Sequence, residues 1–114
     1  MHLSEVYPGY LRITADNNRG FAYRDWRRKY FQKPGVIVIQ YLDSEQDKGS
    51  AYLFLKDLPG ERLCTSIGDV HITDDTIQIK TVRSLYLFFR NSKCLSDVDM
   101  VELKKRAEKC LGKM

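Results

Sequence analysis

Cysteine and histidine, two residue types that commonly bind zinc, are scarce in this chain of 114 residues. The three cysteines are an odd number, and no two of them have CxxC spacing. This pattern argues against a disulfide framework and against a zinc site, so we expect reduced, buried thiols. The two histidines, His2 and His71, lie far apart, and neither has a cysteine or histidine at ligand spacing. We therefore expect no metal site.

Long apolar runs and the common catalytic motifs are missing as well. No stretch approaches the ~20 apolar residues that a membrane-spanning helix needs, and the N-terminal ten residues lack the basic and apolar regions of a secretion signal. The sequence contains no GxSxG, P-loop or HExxH motif, and its carboxylates are scattered through polar segments. We predict a soluble intracellular protein that is not an enzyme and has no cofactor.

The net charge of +4 is unevenly distributed. Residues 1–40 carry seven Lys or Arg against three Asp or Glu, residues 41–80 carry four against eight, and residues 81–114 carry eight against four. A protein that coats nucleic acid more often spreads its basic residues along the chain, so the acidic middle makes nucleic acid an unlikely partner. The pattern favours a polarised domain with one side facing an anionic surface.

The amino-acid pattern is mainly that of β-strands. Period-two alternation with β-branched and aromatic residues predicts strands at 7–14, 24–32, 36–42, 51–56, 76–82 and 84–91. The stretch 61–73 is ambiguous, and we expect one more short strand there. About seven short antiparallel strands tend to curl into a partly closed barrel or sandwich.

The end of the chain has the period of a helix. Its apolar residues follow three-and-four spacing, and they are Met100, Leu103, Ala107, Cys110 and Leu111. Ser96 followed by Asp99 predicts the helix start, and Gly112 predicts its end in a left-handed conformation. We therefore expect one domain over 6–112, with residues 1–5 as an N-terminal tail or a remnant of cloning.

Five segments in this order resemble a known family: GYL at 9–11, WRRKYF at 26–31, GS at 49–50, TIQIKT at 76–81 and LYLFF at 85–89. Together with the terminal helix they resemble a pleckstrin homology (PH) domain, from about Val6 to Leu111. The resemblance implies a partly open barrel of about seven antiparallel strands capped by one C-terminal amphipathic helix. PH domains usually carry a tryptophan in that helix, whereas the only tryptophan here is Trp26.

A narrower resemblance is to the C-terminal PH domain of anillin-like cytokinesis scaffolds. It rests on the opening GYLRI, the loop with Gly20 and Phe21, the WRRKY segment and the tract IKTVR at 79–83. This resemblance implies septins and the cytokinetic cortex as partners, alongside lipid.

The WRRKYF segment supplies the candidate site. Alternate residues of a strand share a face, so Arg27, Lys29 and Phe31 share one face of the predicted strand 24–32, and Tyr30 lies on the other. In PH domains the phenylalanine of this motif points into the core, which implies that Arg27 and Lys29 face the open mouth. Two cations there would bind an inositol phosphate through charge-assisted hydrogen bonds.

Neighbouring residues complete this candidate site. Arg19 and Arg24 add cations from the preceding loop, and Phe21 between them is an apolar tip that can enter a membrane interface. PH domains that bind phosphoinositides tightly have a first-strand lysine where this chain has Ile13, which should point into the mouth. The parity of Arg12 directs it to the opposite face. Two sites therefore stay open: a weak, multivalent site at the mouth, and an outer-face site that uses Arg12 with the loop cations.

Two functions follow from this reading. The first is a non-catalytic module that binds phosphoinositides or anionic membranes and targets a larger scaffold or signalling protein to the cell cortex. The second is a protein-interaction domain with a cytoskeletal, septin or GTPase partner and little lipid binding. Both predict a cytoplasmic protein, peripherally bound to membrane in the first case.

Overall fold

The computed structural model describes residues 4–16, 29–42, 47–58 and 60–112. It contains seven strands and one helix in the described ranges: β1 (Ser4–Asp16), β2 (Gly35–Tyr41), β3 (Lys48–Leu55), β4 (Arg62–Cys64), β5 (Gly68–Ile72), β6 (Thr76–Lys80), β7 (Ser84–Arg90) and α1 (Asp97–Leu111). All the strand ladders are antiparallel. The predicted mainly β fold with a C-terminal helix is confirmed.

The strands form a ring-like sheet. Their order is β2-β1-β7-β6-β5-β3-β4, and β2 also pairs with β3, which brings the two ends of the series together. The long strand β1 is shared, because its first part, as far as Gly9, pairs with β2 and its second part pairs with β7. β3 pairs with β5 at Lys48 and Gly49 and with β4 further along.

Side-chain alternation along β2 divides the apolar residues into two clusters. Ile37 and Ile39 belong to the interior of the ring, which also contains Leu11, Tyr30, Ala51, Leu53, Leu55, Leu63, Ile77, Ile79, Tyr86 and Phe88. Val36 and Val38 lie on the opposite face and pack with Phe54, Leu95, Leu103 and Ala107. Since both faces of β2 are buried, this strand lies between the ring interior and α1.

The helix begins and packs largely as predicted. Ser96 is the N-cap, and its hydroxyl accepts a hydrogen bond of 3.1 Å from the backbone N–H of Asp99. Leu103 and Ala107 are buried against the outer face of β2 and β3, while Cys110 is exposed rather than part of the apolar face. No helix in the described ranges is long and apolar enough to cross a membrane.

The predicted end of the helix is partly right. Gly112 has φ 87° and ψ −175°, a positive-φ region that is open almost only to glycine, but its ψ is extended rather than that of a left-handed helix. The expected burial of the thiols is wrong, since Cys64 and Cys110 are exposed and Cys94 is half-buried, although all three are free. Cys64 alternates with the buried Leu63 in β4 and so lies on its outward face.

Three strand predictions differ from the structure. The predicted strand 76–82 ends at Lys80, so Thr81 and Val82 lie in the turn that follows β6. The stretch 61–73 contains two short strands, β4 and β5, rather than one. Of the predicted strand 24–32, residues 24–28 lie outside the described residues and 29–32 do not form a strand. Lys29 and Tyr30 form a 3₁₀ turn, and Phe31 makes a single bridge with Leu11. The bridge stays isolated because the chain turns away at Gln32, whose φ is 62°.

Glycine is required where β1 changes its pairing partner. At Gly9 the backbone pairs with both Gly35 of β2 and Arg90 of β7. A Cβ added at Gly9 would overlap the carbonyl oxygen of Phe89 and lie 2.9 Å from the Cδ1 of Ile37. A Cβ at Gly35 would overlap the carbonyl oxygen of Phe54 in the same way. The strands approach this closely only because both residues lack a side chain.

We expect Gly9→Ala to lower the free energy of unfolding by about 1–3 kcal/mol, the usual cost of overpacking, because the added methyl group meets fixed backbone. Gly60→Ala is the matched control, since a Cβ there has nothing within 4 Å, and its effect should stay within about 0.5 kcal/mol. Urea denaturation followed by circular dichroism measures both. Equal stability of the two variants would contradict the close approach at Gly9.

Candidate functional site

The structure describes two of the six residues predicted to form the binding site. These two are Arg12 and Lys29. The other four lie outside the described residues, and they are Arg19, Phe21, Arg24 and Arg27. The geometry of the site therefore begins with Arg12, Lys29 and the residues around them.

Arg12 lies at a bulge in β1. Leu11 pairs with Phe88, whereas Ile13 pairs with Leu87, so Arg12 is the extra residue between them. Leu11 and Thr14 are buried, while Arg12 is exposed and Ile13 is 51% exposed. The predicted outward direction of Arg12 agrees with the structure, but the predicted inward direction of Ile13 is wrong, because the bulge shifts the alternation by one residue.

The bulge has two consequences for the neighbouring side chains. The Arg12 guanidinium carbon lies 6.0 Å from the centroid of the Phe89 ring, which itself contacts the ring of Tyr10. Thr14 takes the inward position, where its buried hydroxyl has no hydrogen-bond partner among the described residues. The inner side of β1 therefore presents the hydroxyl of Thr14 rather than the side chain of Ile13.

Lys29 makes an ion pair with the segment that connects β3 to β4. Its Nζ lies 2.7 Å from the Oε2 of Glu61 and 5.6 Å from the centroid of the Tyr30 ring. The Tyr30 hydroxyl is 3.2 Å from the same carboxylate oxygen and donates to the carbonyl of Arg62 at 2.9 Å. An anion that binds Lys29 must therefore compete with the Glu61 carboxylate.

The turn at 29–32 explains why the predicted face assignment is wrong here. Tyr30 is only 2% exposed and belongs to the ring interior, whereas Phe31 is partly buried against the same cluster. The backbone N–H of Gln32 donates to the carbonyl of Leu11 at 3.0 Å and holds the turn against β1. Strand alternation does not apply in a 3₁₀ turn, so Lys29 is exposed while its neighbour Tyr30 is inside.

The pKa values in this group follow from the same contacts. Burial, together with the hydrogen bond to Glu61, raises the pKa of Tyr30 to about 12. The hydrogen bond from Lys29 lowers the pKa of Glu61. Glu61 is therefore ionised, and Tyr30 is a neutral hydrogen-bond donor, throughout the physiological pH range.

Arg12 and Lys29 lie on adjacent backbone segments but have different neighbours. The Leu11–Phe31 bridge joins the two segments. Arg12 lies over Phe89 on the outer face of β7, whereas Lys29 reaches Glu61 near β4. Within residues 4–16, 29–42, 47–58 and 60–112, no common partner joins their charged groups.

The sequence reading missed a second group of surface residues, at the turn between β6 and β7. Val82 is 87% exposed, and Ile67 in the β4–β5 connection is 47% exposed. The exposed cations Lys80 and Arg83 lie on either side of Val82 in the sequence. The alternation pattern places Val82 in the predicted strand 76–82, whereas β6 ends at Lys80, so the exposure of this residue in a turn was not apparent from the sequence.

This group lies at the end of the ring where β1 stops. Asp16, the last residue of β1, pairs with Ser84, the first residue of β7. The basic segment that follows β1 therefore begins beside the β6–β7 turn.

No family model, curated protein or solved structure matches the chain.

We expect Lys29→Gln to raise the pKa of Glu61 toward the ordinary glutamate value, because the variant loses the charge that stabilises the carboxylate. In the native chain the folded-state pKa is depressed, so the ion pair persists above the unfolded pKa and is lost as the pH falls through the folded value. Carbon-13 NMR titration of the glutamate carboxyls measures this. Lys33→Gln should leave Glu61 unchanged, and an unchanged Glu61 in Lys29→Gln would contradict the ion pair.

Proposed function

We propose that this chain is a non-catalytic domain that binds phosphoinositides or anionic membranes and places a larger intracellular scaffold or signalling protein at the membrane. The observation that carries the proposal is the composition of the segment between two core strands. Residues 17–34, which lie between β1 and β2, contain six Lys or Arg and one carboxylate, Asp25. A single connection with this charge is an electrostatic footprint for an anionic surface.

The fold supports the proposal. A seven-stranded antiparallel sheet with a C-terminal helix is compatible with the PH-like barrel that the sequence resembles. The resemblance also implies phosphoinositide contacts between the first strand and the WRRKYF segment at 26–31, which lies within residues 17–34. We assign the chain to a PH-like fold on these grounds, and the anillin-like relationship is the narrower form of the same proposal.

The charges set the strength of the interaction. Each Lys or Arg near an anionic leaflet contributes about 1 kcal/mol, and this contribution falls within a Debye length. Arg19, Arg24, Arg27 and Lys29 together therefore support weak, salt-sensitive recruitment. Phe21 adds an apolar contact. A second membrane signal from the parent protein, or self-association, would convert this weak binding into stable attachment.

The contacts of Lys29 and Arg12 shape the two versions of the site. Binding at the mouth requires Lys29 to exchange the Glu61 carboxylate for a phosphate group, while the Tyr30 hydroxyl keeps its bond to Arg62. Binding at the outer face uses Arg12, whose contact among the described residues is the Phe89 ring. Of these two cations, Lys29 is therefore the more important for binding at the mouth, and Arg12 for binding at the outer face.

We expect Arg27→Glu combined with Lys29→Gln to reduce sedimentation with phosphoinositide vesicles about 10-fold or more, because two cations are lost and one anion is added. Glutamine is chosen at 29 because glutamate would face Glu61. Lys104→Glu combined with Lys105→Gln on α1 makes the same change in charge and should bind almost normally. The thermal melt should change little, because exposed ion pairs such as Lys29–Glu61 stabilise weakly.

The vesicle series separates the outcomes. Binding that prefers one inositide at physiological salt supports a formed headgroup site, and binding to phosphatidylserine vesicles that disappears with salt supports a general basic surface. Wild-type binding by the 27/29 double variant, with a loss in Arg12→Gln, would move the site to the outer face. Absence of wild-type binding at low salt would overturn the membrane proposal.

A second candidate function is protein interaction through the outer side of α1. Val98 is 68% exposed and Val101 is 52% exposed, and both line a shallow cleft of about 370 Å³ with Asp97, Glu102 and Lys105. Neither valine belongs to the cluster between α1 and the sheet. The anillin-like resemblance makes a septin, a GTPase or another cytoskeletal protein the candidate partner.

We expect Val98→Asp combined with Val101→Asp to abolish co-sedimentation with purified septin filaments if α1 is the interaction surface, because two apolar contacts become charged. Vesicle binding should be unaffected. The 27/29 double variant should show the opposite pattern. Normal septin binding by the α1 variant would exclude this face.

A further inference from the structure

We propose that Val82 and Ile67 form an apolar tip that inserts into the interface of an anionic lipid bilayer, beside the point where the basic segment leaves the end of β1. The inference rests on the proposed membrane function and adds a second contact to it. The apolar tip is defined as the side chains of Val82 and Ile67.

Val82 is highly exposed on a hydrogen-bonded turn. Among the described residues, its 87% exposure is well above that of the next large apolar residue, Val98 at 68%. The Thr81 N–H donates to the Ser84 carbonyl at 2.8 Å, and the Ser84 N–H donates to the Thr81 hydroxyl oxygen at 2.9 Å. The side chain is therefore presented by a turn that is closed by hydrogen bonds, and the fold gains little by placing a valine there.

Ile67 lies beside Val82. Both residues line the same two clefts, of about 270 and 430 Å³. Thr65, two residues before Ile67, is buried and ties this connection to β3. Its N–H donates to the Ala51 carbonyl at 2.9 Å, and its hydroxyl accepts from the Ala51 N–H at 3.0 Å. The β4–β5 connection and the β6–β7 turn thus each contribute one side chain to the apolar tip.

The charges around the apolar tip also fit an anionic membrane. Lys80 and Arg83 are exposed next to the apolar tip, and Lys48 lines one cleft, where its Nζ lies 3.4 Å from the Asp69 carboxylate. The cations outnumber the carboxylate three to one in the described lining of these two clefts. An apolar residue with cations beside it matches the interface of an anionic leaflet, where the side chain meets acyl chains and the cations meet headgroups.

The small size of the apolar tip favours a lipid surface over a protein partner. A stable protein interface buries about 800 Å² on each partner around an apolar centre, which two aliphatic side chains do not provide. Interfacial insertion needs only a few side chains when electrostatic attraction supplies the rest. A bilayer surface therefore fits the apolar tip better than a protein partner does.

The test is vesicle sedimentation with Val82→Thr, which keeps the side-chain shape and removes its apolar character. The vesicles contain phosphatidylcholine and phosphatidylserine with a few per cent phosphoinositide, at low and at physiological salt. The matched control is Val98→Thr, which makes the same change at another exposed valine. We expect Val82→Thr to weaken binding about 3- to 10-fold, with the larger effect at physiological salt, where the apolar part dominates.

The insertion pressure into an anionic lipid monolayer gives a second readout, which a purely electrostatic contact would not change. It should fall for Val82→Thr and stay at the wild-type value for Val98→Thr. Thermal melts of the two variants should match the wild type, because both side chains are exposed.

The outcomes distinguish this inference from the proposed function. Wild-type sedimentation with equal binding by Val82→Thr would overturn the apolar tip and leave the basic segment as the binding site. Equal losses in Val82→Thr and Val98→Thr would also overturn it. Wild-type protein that binds no vesicle at low salt would overturn the proposed function itself, and the apolar tip with it.

Discussion

The close approach of three strands around Gly9 is the constraint on which the rest of the fold depends. β1 pairs with β2 before this residue and with β7 after it, so one strand joins two parts of the ring. Side chains at Gly9 and Gly35 would meet backbone carbonyl groups of neighbouring strands. Their absence allows β1 to change partner without leaving its hydrogen-bonding groups unpaired.

Because β1 changes partner at Gly9, the space beside Leu11 becomes available to the segment that precedes β2. Tyr30 fills the ring interior there. Its hydroxyl donates hydrogen bonds to the backbone carbonyl of Arg62 in β4 and to the carboxylate of Glu61, the residue before β4. Tyr30 thus fixes the C-terminal part of the basic segment in the core, and the pairing of Asp16 with Ser84 fixes the residue before its start in the sheet. A strongly cationic stretch is therefore attached to the sheet at both ends.

The sequence predicts this fold well where one physical rule acts alone. The strands at 36–42 and 84–91 alternate regularly because each is paired on both edges, and Ser96 caps α1 through a local hydrogen bond. Prediction fails where a second constraint acts. The bulge at Arg12 turns Ile13 outward, and the turn at Lys29 and Tyr30 reverses the expected faces. Both depend on which strands meet around β1, and alternation in one segment does not encode that.

The ring-like pairing also bears on self-assembly through strand edges. An unpaired edge is a template on which another chain can add a strand, and long exposed edges promote aggregation. β2, β3, β6 and β7 each have a partner on both sides. β4, at the end of the series, is only three residues long, and Arg62 places a charge on it. In the described part of the chain, the terminal strand of the series is thus too short and too polar to be a good template for fibril growth.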